Sequence, residues 1–103
     1  MIDNEVQTLL KKVFGDLNYE KIILFGSRAR GDSSERSDYD ILIIMEEDLS
    51  IKEKMRLLIR LKRELAKKEV DADIIIKSSN EVDYYKDKIG SVVRNALREG
   101  VAL

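Results

Sequence analysis

Histidine and cysteine are both absent from the 103 residues of this sequence. Their absence excludes a Ser-His-Asp triad, a Cys-His nucleophile, a thiolate zinc site and any disulfide. Catalysis by this chain would therefore depend on carboxylates, hydroxyls, Lys, Arg, Tyr and backbone groups. Since carboxylates remain as the metal ligands, a bound cation is expected to be a hard one, and Mg²⁺ is the first candidate.

Long apolar runs and an excess of one charge are also missing. No run approaches the roughly 20 apolar residues of a membrane span, and no signal peptide opens the sequence, so a cytoplasmic protein is expected. The 19 basic and 20 acidic side chains nearly cancel, which leaves a net charge of −1. A protein that binds nucleic acid through its charge normally shows a basic excess, so direct nucleic-acid binding is not expected.

Three short runs rich in β-branched residues predict strands at residues 21–25, 38–45 and 70–76. The second run is wholly apolar after Asp40, which is typical of a strand that is covered on both faces. Amphipathic segments before, between and after these runs predict helices, and no proline, repeat or linker interrupts the chain. The order α-β-loop-β-α-β-α predicts one α/β (α+β) domain over residues 1–103, with a three-stranded sheet flanked by three or four helices.

The helical segments carry their own start and stop signals. Ser50 and Glu53 form a capping-box signature before the second long helix, whose residues 52–69 hold eight basic and three acidic side chains. We interpret this basic helix as a solvated amphipathic face, with an acidic partner or RNA as alternatives. The C-terminal helical region is expected to break near Gly90 and to end at Gly100. The residues expected on apolar helix faces include Ile51, Met55, Leu58, Leu61 and Leu65 in the basic helix, and Val82, Tyr85, Ile89 and Val93 in the C-terminal region.

Gly26 and Ser27 follow the first predicted strand and precede a loop or one short helical turn. A glycine there lets a ligand approach the backbone, and free N–H groups at a helix start attract phosphate oxygens. The Ser27 hydroxyl adds a donor. Arg28 and Arg30 either offset phosphate charge or lie in solvent and salt bridges. The pattern is not a Walker A loop, because no Gly-Lys-Ser/Thr follows.

Asp38 and Asp40 are two residues apart at the start of the second strand, so both side chains are expected on one face. Their Cα atoms would lie roughly 6–7 Å apart, and two such close carboxylates repel each other unless a cation joins them. Two divalent ions about 3.5–4 Å apart are a standard device for displacement at phosphorus. A third carboxylate is expected from the neighbouring strand, where Asp73 is preferred and Asp71 is the reserve.

At these residues the chain resembles the DNA polymerase β-type nucleotidyltransferase superfamily, and more narrowly the minimal nucleotidyltransferases of prokaryotes. That family's signature is Gly-Ser, ten residues, then Asp-x-Asp, which residues 26–40 match without a gap. Asp73, followed by three isoleucines, fits the third catalytic position of the family. Residues 96–101 are similar to its closing helix.

The resemblance implies a mixed sheet and transfer of a nucleoside monophosphate from a nucleoside triphosphate, usually ATP, with two Mg²⁺ ions. Asp38, Asp40 and Asp73 would then be both catalytic residues and metal ligands. The nucleotide would be bound by Gly26, Ser27, Arg28 and Arg30. The resemblance also implies pairing with a small all-helical HEPN protein in a toxin–antitoxin module. In some such pairs the nucleotidyltransferase is the antitoxin and adenylylates the toxin.

Two alternatives remain open at this point. The chain could be an antitoxin that neutralises its partner by docking alone, as a homo- or hetero-oligomer. Transfer to a small molecule such as an aminoglycoside has weaker support, since those enzymes normally carry an extra domain.

Overall fold

The computed structural model describes residues 4–30 and 38–103, and within them the chain forms five helices and four strands. The helices are α1 (Asn4–Phe14), α2 (Gly26–Arg30), α3 (Ile51–Ala66), α4 (Ser79–Tyr85) and α5 (Val92–Glu99). The strands are β1 (Tyr19–Phe25), β2 (Tyr39–Met45), β3 (Ala72–Ser78) and β4 (Val101–Ala102). None of these helices is both long enough and apolar enough to span a bilayer.

The strands form one mixed sheet in the order β3-β2-β1-β4. β1 lies antiparallel to both β2 and β4, whereas β2 lies parallel to β3. The predicted fold class is confirmed, and the sheet gains a fourth strand that the sequence did not reveal. β4 has only two residues and follows directly on α5, so Val101 lies in a strand rather than in the expected closing helix.

Helices cover both faces of the sheet. One face packs on α1 and α3 through Phe14, Leu61 and Leu65, each at most 1% exposed. The other face packs on α4 and α5 around Val82 and Val93. Since successive strand residues point to opposite faces, the buried run at the end of β2 contributes to both cores. This confirms that the second strand is covered on both sides.

Local capping interactions set where the helices begin and end. The Ser50 N–H donates to Glu53 Oε1 and the Glu53 N–H donates to Ser50 Oγ, both at 3.1 Å, so the predicted capping box is confirmed. The C-terminal region breaks at Gly90, whose φ of +85° lies between α4 and α5, and Gly100 is the C-cap of α5.

Three apolar residues that spacing placed on helix faces lie at the surface instead. Ile89 falls in the connection between α4 and α5 and is 89% exposed. Ile51 and Met55 begin the apolar stripe of α3 but are 83% and 52% exposed. α3 lies over the β3 side of the sheet, and β3 is an edge strand. The sheet therefore ends before it can cover this side of the helix.

Candidate active site

The predicted acidic positions meet at one end of the sheet. β1 finishes there with Phe25, while β2 and β3 begin there. The backbone register pairs Phe25 with Asp40 and Asp40 with Asp73. Paired residues on adjacent strands are about 4.8 Å apart and project to the same face. Asp40 and Asp73 are therefore nearest neighbours across two strands, as the sequence predicts.

The Asp40 and Asp73 side chains lie on the face that α4 and α5 cover. Leu42 and Ile75, two residues further along the same strands, pack into the core beneath those helices. Asp40 is half-buried and Asp73 is exposed. The pair thus lies where the apolar core ends, with one carboxylate partly shielded from solvent and the other open to it.

Gly26 lies directly against the Asp40 carboxylate. Its φ is +73°, a left-handed conformation that glycine adopts without strain. A Cβ added there would overlap Asp40 Oδ2 and lie 3.1 Å from Asp40 Cγ. Glycine therefore lets the chain turn out of β1 here without backbone strain and without displacing this carboxylate. Ser27 follows as the second residue of α2 and is half-buried.

Glu99 fixes the same turn from the far end of the chain. The Gly26 N–H donates to Glu99 Oε1 at 3.3 Å, across 73 positions of sequence. Glu99 is the last residue of α5, so this contact ties the final helix to the turn that follows β1. Sequence reasoning missed Glu99, because an acidic residue near the end of a surface helix carries no signal of so distant a partner.

Asp38 and Asp73 line one open cleft of about 300 Å³ at the same end of the sheet. Asp71 lines it as well, and α3 contributes Lys62 and Ala66. Asp71 precedes β3, and its backbone carbonyl accepts the Tyr39 N–H at 3.0 Å. Both Asp71 and Asp73 are exposed. The strand register distinguishes the two residues, because it pairs Asp73, and not Asp71, with Asp40.

The carboxylates have donor chemistry that suits Mg²⁺ bound together with a nucleotide. Within residues 4–30 and 38–103, no three acidic side chains are grouped so that they alone could hold a metal ion. Mg²⁺, however, usually takes one or two carboxylates together with substrate phosphates, rather than an all-protein cage. The neighbouring Asp40 and Asp73 provide that number of carboxylates.

Part of the predicted motif lies outside the described structure. Arg28 and Arg30 belong to α2, but the phosphate contacts predicted for their side chains fall outside what the structure describes. Residues 31–37, the rest of the segment between Ser27 and Asp38, also lie outside the described residues.

A larger groove, of about 360 Å³, lies between α1 and α3, away from these carboxylates. Two basic side chains of this groove form salt bridges: Arg60 with Asp16 at 3.3 Å and Lys67 with Glu64 at 3.2 Å. Its volume exceeds that of the acidic cleft, but it contains neither the Gly-Ser turn nor the paired aspartates. We therefore place the candidate site at the end of the sheet.

Comparison with known proteins shows the family and the fold of the chain. Residues 4–99 match the family described as polymerase beta nucleotidyltransferases. Two proteins of Methanocaldococcus jannaschii, both named as candidate protein adenylyltransferases, are each 41% identical to this chain. One match spans 54 residues, or 52% of this chain and 50% of the relative. The other spans 85 residues, or 82% of this chain and 77% of the relative. The chain thus aligns with about half the length of the first relative and about three quarters of the second.

Two solved structures share the fold. A candidate nucleotidyltransferase from Sulfolobus solfataricus has a TM-score of 0.61 and 25% identity, over 94% of this chain and 74% of that one. A toxin–antitoxin complex determined with AMP-PNP also gives a TM-score of 0.61, with 20% identity over 93% of this chain and 70% of that one. At that identity the second structure supports the fold alone.

Proposed function

We infer the activity of this chain from its family, since it belongs to the polymerase β nucleotidyltransferases. We propose that it transfers a nucleoside monophosphate from ATP to a hydroxyl group of a protein, in an Mg²⁺-dependent reaction. One observation carries the proposal. Asp40 lies in register with Asp73, against a Gly26 where an added Cβ would displace the Asp40 carboxylate.

In this proposal the turn at Gly26 and Ser27 receives the triphosphate. The absence of a side chain at Gly26 allows phosphate oxygens to approach the backbone beside Asp40. The Ser27 hydroxyl donates a hydrogen bond to a phosphate oxygen, and Arg28 and Arg30 offset phosphate charge. Because aspartates would otherwise repel the triphosphate, binding requires Mg²⁺.

The proposed reaction is an in-line displacement at the α-phosphorus. The acceptor hydroxyl oxygen forms a bond to the α-phosphorus. The bond between the α-phosphorus and the oxygen that bridges it to the β-phosphorus breaks, and pyrophosphate leaves. Asp38, Asp40 and Asp73 are the proposed metal ligands. Mg²⁺ bound there would stabilise charge on the attacking and leaving oxygens. We propose that Asp73, which is exposed and lines the cleft, receives the hydroxyl proton or holds the ion that activates the hydroxyl.

We further propose that the acceptor is a partner protein, and that this partner is a small all-helical HEPN toxin. The names of the two relatives support a protein acceptor. We propose the role as antitoxin from the resemblance of residues 26–40 to the minimal nucleotidyltransferases; the toxin–antitoxin complex adds only that the fold is shared.

A second candidate function is neutralisation of the partner by docking alone. The observation that favours it is the exposed apolar side of α3, with Met55 at 52% and Ile59 at 53% exposure. In that case the Asp38→Ala protein would neutralise the partner at the same stoichiometry as the wild type. Under the catalytic proposal it would not.

Thermal unfolding with ATP, with and without Mg²⁺, tests the nucleotide site without knowledge of the acceptor. Ligand at ten times its dissociation constant stabilises the folded state by about 1.4 kcal/mol, which raises Tm by roughly 6–11 °C in a domain of this size. We expect this rise only when ATP and Mg²⁺ are both present.

Asp38→Ala and Asp71→Ala form a matched pair for this test, because both residues are exposed and line the same cleft. We expect Asp38→Ala to lose the rise and Asp71→Ala to keep it. If Asp38→Ala kept the full rise in Tm, the proposed site would be contradicted. If only Asp71→Ala lost the rise in Tm, Asp71 would be a metal ligand in place of Asp38.

A further inference from the structure

A strip of exposed apolar side chains follows one side of α3. Ile51, Met55 and Ile59 are spaced four residues apart, so they lie along one side of the helix. They are 83%, 52% and 53% exposed, although they are large and apolar. We refer to these three residues as the α3 strip. A soluble surface has scattered apolar side chains, but an aligned row is typical of a contact surface.

The α3 strip lies along the open edge of the sheet. In the described residues β3 pairs only with β2, which leaves its outer edge without a strand partner. Met55 also lines a mainly apolar groove of about 170 Å³ together with Lys54, Leu58, Ile74 and Ile76. The strip and the groove therefore form one continuous apolar surface, which extends from α3 down to the edge strand.

The same side of α3 leads into the candidate active site. Lys62 and Ala66 continue the helical spacing beyond Ile59, and both line the cleft that contains Asp38 and Asp73. From Ile51 to Ala66 the helix rises about 22 Å. A molecule bound along the strip would thus reach this cleft, and the Asp40 and Asp73 side chains lie at the same end of the sheet, on its other face.

Charge along the helix indicates the chemistry of the partner. Lys52, Arg56 and Arg63 are exposed and lie on the outer flank of the α3 strip, by helical spacing. The acidic Glu64 lies instead on the side that faces α1. The surface is therefore apolar in the centre and basic along its flank, which complements an apolar patch bordered by carboxylates.

We propose that the α3 strip is the docking surface for the acceptor, and that the acceptor is a folded protein with an acidic border around an apolar patch. This proposal rests on the proposed nucleotidyltransferase function. A second copy of this chain fits less well, because a two-fold contact would bring the basic flanks of the two copies towards each other. The acceptor hydroxyl would reach the cleft past Lys62.

Substitution of glutamate in the strip tests the proposal. Met55→Glu and Ile59→Glu place a charge in the centre of the surface, while Ile89→Glu places one at an equally exposed apolar residue between α4 and α5. Each protein is incubated with Mg²⁺, ATP labelled at the α-phosphate and soluble extract of the cells from which the gene comes. Circular dichroism and the ATP–Mg²⁺ rise in Tm are measured in parallel.

We expect the wild type and Ile89→Glu to label the same protein at the same rate. Met55→Glu and Ile59→Glu should each label it roughly tenfold more slowly or slower still, which is the effect expected for residues at the centre of an interface. All four proteins should keep the same ATP–Mg²⁺ rise in Tm. Labelling by the strip variants at the wild-type rate would overturn the docking proposal alone. The same would follow if the wild type proved to be a dimer that Met55→Glu dissociates, because the strip would then bind a second copy.

Two further outcomes separate docking from catalysis. If wild-type protein shows the ATP–Mg²⁺ rise but labels no protein, the nucleotide site stands and the protein acceptor is refuted. If it shows neither, the proposed function fails and the docking proposal fails with it.

Discussion

Replacement of Gly26 by alanine is the sharpest structural test of the candidate site, because Gly90 provides a matched control. Both glycines have positive φ, +73° at Gly26 and +85° at Gly90. An added Cβ at Gly26 would overlap the Asp40 carboxylate, whereas one at Gly90 meets no atom within 4 Å. Comparison of the two alanine variants therefore separates backbone strain from displacement of Asp40.

The expected magnitudes follow from these two environments. A left-handed conformation costs an L-residue roughly 1–2 kcal/mol, and the reduced freedom of the unfolded chain offsets about 0.4–1 kcal/mol of this. Gly90→Ala should therefore destabilise the protein by at most about 1.6 kcal/mol. Gly26→Ala adds the cost of overpacking, about 1–3 kcal/mol, so its total is about 1–4.6 kcal/mol. Because Asp40 must move, we also expect Gly26→Ala to lose ATP–Mg²⁺ binding.

Chemical denaturation measures the two stabilities, and isothermal titration of ATP with Mg²⁺ measures binding at a temperature where both variants are folded. Gly90→Ala should bind as the wild type does, and Gly26→Ala should show no saturable binding. Unchanged nucleotide affinity in Gly26→Ala would refute the reasoning, since it would mean that the Gly26–Asp40 contact has no role in the site. Equal loss of binding in both variants would also refute it.

Three further predictions concern other contacts. Glu99→Ala removes the acceptor of the Gly26 N–H and should weaken ATP–Mg²⁺ binding in a titration. Glu99→Gln keeps an acceptor oxygen and should bind ATP–Mg²⁺ as the wild type does. Equal binding by the wild type and both variants would contradict a positioning role for Glu99. Burial raises the pKa of Glu81, but the contact from Lys54 Nζ at 2.6 Å and the N-cap amide of α4 outweigh it, so that the folded-state pKa lies below 4.5. The stability this charge contributes is fully present above about pH 4.5 and is lost as the pH falls through the lower folded-state pKa. Glu81→Gln should therefore cost about 0.5–1 kcal/mol at pH 7 and progressively less in acid, and a constant difference from pH 7 to pH 3 would contradict this. Leu61 is fully buried, so Leu61→Ala should lower the unfolding free energy by about 2–5 kcal/mol in urea; a loss below 1 kcal/mol would mean that α3 is not held by this core.

The strands could be predicted because their signals are local. Residues 41–45 are apolar without interruption and rich in isoleucine, which is typical of a strand buried on both faces. The alignment of Asp40 with Asp73 could be anticipated for the same reason, since each immediately precedes the apolar run of its own strand. Once the strands pair in parallel, the two residues come into register.

What sequence reasoning missed depends on contacts between distant residues. The contact of Glu99 with Gly26 joins residues 73 positions apart, and β4 forms only because its two residues reach β1. The position of β3 at the sheet edge is also set by topology, not by composition. Helical spacing alone therefore could not show that Met55 would be left at the surface.

The most direct test of the account is a crystal structure of the protein with Mn²⁺ and a non-hydrolysable ATP analogue. We predict anomalous density for the metal at Asp40 and Asp73, with the triphosphate seated on the turn at Ser27. Nucleotide bound instead in the groove between α1 and α3, beside Lys12 and with no metal at the aspartates, would contradict the proposed site.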